Sequence, residues 1–320
     1  MPANSDYWKT GLKFSISIAL LLILVASVDI KQFIDSTKSA DRHALLLALV
    51  LFSLQCIFEG ERLKLVFTDY GIKFRDGIRL SFIGIFFGNF MPGMLGSDVY
   101  QMHHMHKIRA GLVRPLSLSL FLRLTGLISN IVVGLVALSL SPNIGEMTIS
   151  LHLEDVTLSP RLVTILLFIL LITSVITLLF LRYNRLQGLI AKFFHLLHDF
   201  LQVATSFAIG SLTLISILGV FVILARASCF FVLALALGTP ISSIDAIVVA
   251  TVTALAMLLP ISFAGLGVRE ASASAMLIAF GVPITESIAV SFISRCFLWV
   301  LSIIGGAWFL LQRTTTKATR

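Results

Sequence analysis

Within a long apolar region, the stretch Leu259-Pro260-Ile261-Ser262-Phe263-Ala264-Gly265-Leu266-Gly267-Val268-Arg269-Glu270 carries a proline, two glycines and an adjacent Arg-Glu pair. None of these suits a helix that crosses a bilayer. Backbone at membrane depth leaves the helix only where protein or a water-filled cavity satisfies its hydrogen bonds, and an ionisable side chain there is a functional hypothesis by default. The setting is a membrane because 58% of the chain is apolar and 12% charged, with a mean hydropathy of +1.00. About a quarter of a soluble domain is charged. The expected fold class is therefore an all-α polytopic membrane protein, with residues 1–320 forming one transmembrane domain.

The net charge of +8 falls in short clusters between apolar runs, not on one interleaved basic and aromatic surface. That distribution argues against nucleic acid as a partner and for a report of topology. Cys56, Cys229 and Cys296 lie in apolar segments without metal-ligand spacing and read as packing residues, so no metal or other cofactor is expected.

Lys9 and Lys13 precede an apolar run from Phe14 to Val28, and Val25-Ala26-Ser27 resembles a cleavage site. Because apolar segments continue downstream, an uncleaved first helix is expected over about 12–30. A second helix follows over about 43–66 and ends among Arg62, Lys64, Lys73, Arg75 and Arg79, a cytoplasmic signature. The segment 78–97 is broken by Asn89, Pro92, Gly93 and Gly96 and leads through Asp98 to the basic piece His103-His104-Met105-His106-Lys107-Ile108-Arg109. With basic territory on both sides, it must enter and leave on one face as a re-entrant hairpin. A helix over 115–140 then reaches an external loop, 141–160, with Glu146, Glu154 and Asp155 and no Lys or Arg.

A helix over 161–181 returns to Arg182, Arg185 and Lys192, and residues 186–202 read as an amphipathic surface helix. A long helix over 207–237 precedes a second hairpin within 245–281, and a last helix over 285–311 ends at Arg313, Lys317 and Arg320. Both termini are expected on the cytoplasmic side of the cell (inner) membrane, with six spanning helices and two hairpins.

The two broken segments can be superposed. Arg123 follows Asp98 by 25 positions, and Arg295 follows Glu270 by 25. Ser119, Arg123, Asn130 and Gly134 share their spacing with Ser291, Arg295, Ser302 and Gly306, and at 3.6 residues per turn each set is one stripe. The chain thus reads as an inverted repeat, units about 1–140 and 161–311, each of two helices, a hairpin and one helix. Transporters of this construction bind near the midplane where broken helices meet.

An Arg or Asp at a helix centre costs about 2.5–3.5 kcal/mol to insert, so Asp98 with Arg123 and Glu270 with Arg295 are expected to pair. The short helix after each group of glycines would aim its N–H groups into a cavity, and Arg269 adds charge suited to a phosphate headgroup. Glu59 and Arg226 sit at equal distances before Gly71 and Gly238 and are secondary candidates for pairing across the repeat, with Asn130 and Ser302. The histidine cluster reads as an interfacial basic patch. No Ser-His-Asp order, His-Glu-x-x-His or P-loop appears, so an enzyme is not expected.

Pro260-Ile261-Ser262 through Gly265-Leu266-Gly267-Val268-Arg269-Glu270 to Phe280-Gly281-Val282-Pro283 closely resembles the second signature of the lysylphosphatidylglycerol synthase transmembrane, or flippase-like (UPF0104), family. Asn89-Phe90-Met91-Pro92-Gly93 to Gly96-Ser97-Asp98 resembles its first. The resemblance implies movement of an aminoacylated lipid between leaflets, as in the membrane half of the multiple peptide resistance factor, or partnership with polyprenyl-linked sugar pathways. It also implies functional roles for Asp98, Arg123, Arg269, Glu270 and Arg295. The family's synthase members carry a soluble aminoacyl-transfer domain that is not expected here, so synthase activity is not implied, and Leu122 stands where the family often has an acid. The expected function is translocation of a phospholipid or polyprenyl-phosphate-linked lipid. The alternative is a non-transporting membrane partner of a glycosyltransferase or lipid-modifying enzyme.

Overall fold

A computed structural model describes residues 30–90, 96–141 apart from 110 and 112, 202–258 apart from 204, and 264–318, together with 22, 24 and 262. The regular structure among them is helical: α1 (Ile30–Ser39), α2 (Arg42–Val66), a 3-10 turn (Thr68–Tyr70), α3 (Phe74–Phe90), α4 (Gly96–Ile108) and α5 (Val113–Leu140). After the gap come α6 (Ile209–Ala236), α7 (Ser243–Ala256), α8 (Val268–Ala279) and α9 (Ile284–Ala318).

Local chemistry sets these ends. Asp41 caps α2 by accepting the His43 N–H at 2.9 Å, and Ser242 caps α7 by accepting the Asp245 N–H at 3.0 Å, each satisfying a donor that the first turn leaves open. Helix α2 has 25 residues, α5 and α6 have 28 each, and the 28 residues Ile284–Leu311 of α9 are equally apolar. At 1.5 Å per residue such lengths exceed a hydrocarbon core of about 30 Å. The protein is a multi-pass integral membrane protein.

Helices α2 and α6 form the central pair, sharing a core that includes Phe52, Cys56, Phe230 and Leu233. Helix α3 packs on α2 and α7 on α6. Two helical hairpins flank this pair. In the first, α3 meets α4 so closely that a Cβ on Gly96 would lie 2.1 Å from Phe87 O, while one on Gly84 would lie 2.8 Å from Ser97 Oγ. Contacts that climb one helix and descend the other make the two arms antiparallel. The second hairpin pairs α7 with α8. The long helices then cross over: α5 packs on α7, and α9 packs on α3.

The expected helices over 43–66, 115–140, 207–237 and 285–311 match α2, α5, α6 and most of α9. The first helix (12–30) has its last residue in α1 and, apart from residues 22 and 24, otherwise lies, like residues 142–160 of the external loop, the helix over 161–181 and nearly all of the amphipathic stretch 186–202, outside the described residues. So do Pro92, Gly93 and Pro260. Two boundaries differ from expectation. The short helix expected after the glycines runs through the whole basic piece to Ile108 as the second arm of the hairpin, because Tyr100, Gln101 and Met105 are buried on one side of it and Tyr100 stacks on Phe87. Helix α9 continues to Ala318, since no Gly or Pro follows Gly306 to stop it.

Candidate functional site

The turn of the second hairpin is built from backbone that ordinary side chains disfavour. Ala264, Gly265 and Gly267 have φ of 51°, 73° and 81°, a left-handed region in which glycine alone is unstrained. Two buried side chains hold it. Glu270 Oε2 accepts the Gly267 N–H at 2.8 Å, and Glu270 Oε1 accepts from Arg295 Nε at 2.5 Å. Arg295 Nη2 donates to Gly265 O at 3.0 Å. Side-chain exposures of 1% for Glu270 and 3% for Arg295 make this a dry ion pair.

This arrangement changes the expected anion site at the start of α8. Glu270 sits three residues into the helix cap and supplies half of a capping box, so the protein's own carboxylate occupies the position that a ligand anion would take.

The first hairpin is arranged differently. Asp98, in the first turn of α4, forms an ion pair with Arg123 on α5. Here the side chains are 19% and 41% exposed, so the pair is open where its counterpart is sealed. Asn89, one residue before the end of α3, has a buried amide nitrogen with no hydrogen-bond partner. Arg123 lies ten residues into α5, about 15 Å along its axis.

Arg269 neighbours Glu270 in sequence but makes no ion pair among the described residues. Its side chain is buried, its guanidinium lies 5.7 Å from the centre of the Phe52 ring, and its Nη1 lacks a hydrogen-bond partner. Glu59 and Arg226, expected to pair across the repeat, take other partners. Glu59 pairs with Arg62 at 2.7 Å, one turn along its own helix, and Arg226 Nε donates to Gln55 Oε1 at 3.4 Å.

Arg62 is a functional candidate that the sequence concealed among the basic residues at the end of α2. It is 3% exposed and donates from Nη2 to Leu122 O at 3.1 Å and Thr125 Oγ1 at 3.2 Å, bolting α2 to α5. Gly126 and Gly219 make room: a Cβ on Gly126 would lie 3.4 Å from its guanidinium, and one on Gly219 3.7 Å from Cζ. The Glu59-x-x-Arg62 spacing was the only sequence signal for it. Asp245, fully buried and bonded to Ser141 at the junction of α7 and α5, carried no such signal.

The secondary candidate Asn130 donates from Nδ2 to Thr251 O at 3.3 Å, joining α5 to α7. Ser302 is buried on α9. Beside them, a Cβ on Gly134 would lie 2.3 Å from Thr251 Cγ2, and one on Gly306 2.9 Å from the Phe86 ring. Among the described residues no three His, Cys, Asp or Glu side chains are grouped to hold a metal ion.

None of the curated proteins compared with the chain matches it. The family model for the lysylphosphatidylglycerol synthase TM region matches residues 11–306, both hairpins included, and the chain belongs to that family.

Proposed function

We propose that this chain is a flippase-like membrane protein that moves a phosphate-containing lipid, a phospholipid or a polyprenyl-phosphate-linked one, between leaflets. The observation that carries the proposal is the 41% exposure of Arg123 in its ion pair with Asp98, ten residues into a helix long enough to span the membrane. A guanidinium left open at that depth is costly against lipid tails and favourable beside water or a headgroup. Asp98, Arg123 and Arg269 are assigned to the headgroup path. Glu270 and Arg295 are assigned to holding the second hairpin in shape.

The architecture that accompanies this reading is an inverted repeat with six spanning helices and two re-entrant hairpins, both termini cytoplasmic, in the cell membrane. It is supported by the exchange of partners, α5 on α7 and α9 on α3. It is supported too by Gly134 and Gly306, equivalent in the repeat, which lie at those two contacts.

Reconstitution of the purified protein into liposomes with fluorescent lipids of several headgroup classes tests the function. Movement of at least one phosphate-bearing class, lost in Asp98→Asn, is the expected result. Folded protein that moves none of them would sink the proposal.

The dry Glu270–Arg295 pair favours a second reading, a membrane partner that holds a glycosyltransferase or lipid-modifying enzyme without transporting anything. Affinity capture of the Asp98 and Glu270 variants separates the two. A variant that loses complementation while retaining its partner supports transport.

A further inference from the structure

Not every interior arginine has a carboxylate bonded to it. Three carboxylates at membrane depth each bond to an arginine: Glu59 to Arg62, Asp98 to Arg123 and Glu270 to Arg295. Two further guanidiniums, Arg226 and Arg269, have no ion-pair partner among the described residues. Burial leaves an uncompensated charge strongly unfavourable, and the face of the Phe52 ring offsets only part of that for Arg269.

These two cations belong to one place. Arg269 lies over Phe52 and Arg226 bonds to Gln55, and Phe52 and Gln55 are three residues apart on α2, hence neighbours on one helix face. Arg269 experiences Arg295 and, less strongly, Arg226 as like charges, with the Glu270 carboxylate opposing them. Glu59, the next group on that face, attracts Arg226 but has already given an oxygen to Arg62. The face of α2 therefore presents, from Phe52 to Arg62, a ladder of Arg269, Arg226, Glu59 and Arg62 over ten residues, about 15 Å.

We infer that Arg226 and Arg269 form an anion site between α2, α6 and the start of α8 that takes a phosphate group. Two guanidinium forks supply paired, planar donors that match phosphate oxygens. The unpartnered Nη1 of Arg269 is a donor awaiting an acceptor. Glu59 stands beside the site as the carboxylate that steadies Arg226 when no anion is bound. The inference rests on the translocation reading only for the source of the phosphate, a lipid headgroup as opposed to a soluble anion.

The test uses the full chain in nonionic detergent, with the thermal unfolding midpoint followed against dioctanoyl phosphatidylglycerol, inorganic phosphate, and dioctanoylglycerol as a phosphate-free control. The expected result is saturable stabilisation by the phospholipid and none by the diacylglycerol. Arg226→Gln and Arg269→Gln should each raise the half-saturating concentration about tenfold or more, and the exposed-surface control Arg75→Gln should not. Wild-type affinity in both Gln variants, or equal stabilisation by the diacylglycerol, would overturn the site. If the Gln variants do not fold, Arg226→Lys and Arg269→Lys decide: weaker binding upholds the site, and unchanged binding removes it. Saturation by inorganic phosphate alone upholds the anion site and sinks the lipid reading. Phospholipid that binds through these arginines without crossing liposome bilayers upholds the site and sinks transport.

Discussion

Glu270 and Arg295, 25 positions apart, meet through a 2.5 Å bond with side chains only 1% and 3% exposed. Asp98 and Arg123, also 25 positions apart, form their pair 19% and 41% exposed. The same spacing therefore yields a sealed clasp in one half of the chain and an open pair in the other. The sealed pair also holds Gly265 O and the Gly267 N–H.

Breaking the sealed pair should therefore cost stability. Glu270→Gln leaves the Arg295 charge buried without its counter-ion, a loss of about 3–5 kcal/mol, and loosens the left-handed turn as well. Thermal unfolding in detergent should show a large fall in midpoint, and a midpoint within 2 °C of wild type would contradict the clasp.

The open pair should behave in the opposite way. Asp98→Asn and Arg123→Gln remove a partly solvated pair, worth about 1 kcal/mol or less, so the midpoint should hold while lipid movement in liposomes falls. Equal losses of stability and movement would instead make this pair a structural lock.

Helix crossings give a third expectation. A Cβ at Gly96 would lie 2.1 Å from the Phe87 carbonyl, and backbone cannot rotate away. Gly96→Ala should thus separate α3 from α4 and reduce the yield of folded protein. Gly134→Ala meets the Thr251 side chain at 2.3 Å, so Thr251→Ala, which removes that methyl, should restore part of its lost midpoint. Absence of any rescue would place the strain elsewhere.

Arg62 supplies a fourth. Arg62→Met removes the bolt to Leu122 O and Thr125 and leaves Glu59 without its partner. Of these two effects the stranded carboxylate is the worse, so adding Glu59→Gln should recover stability. A double-mutant cycle in unfolding midpoint measures the coupling, and strict additivity would mean that the two residues do not act together.

Much of this was legible in the chain itself. Apolar runs of 25 to 28 residues predict the long helices because only a continuous helix satisfies its backbone in hydrocarbon. Pro and Gly at 89–96 and 260–267 predict the breaks because they fail in helix interiors. The two acid–arginine pairings follow from equal spacing and the cost of an isolated charge at depth.

The packing was not legible, because exposure is a property of neighbours distant in sequence. Nothing local distinguishes Asp98 from Glu270, yet one is open and the other sealed. Glu59 turned to Arg62 because Leu122 and Thr125, some sixty positions away, hold that guanidinium in reach. Arg226 and Arg269 became a pair only when Phe52 and Gln55 brought them to one face of α2. The sequence by itself determined the membrane class, the broken helices and the charges that must be reconciled inside. Only the tertiary structure decided which charges bond to one another and left Arg226 and Arg269 without an ion-pair partner among the described residues, since that depends on the helices that surround each group.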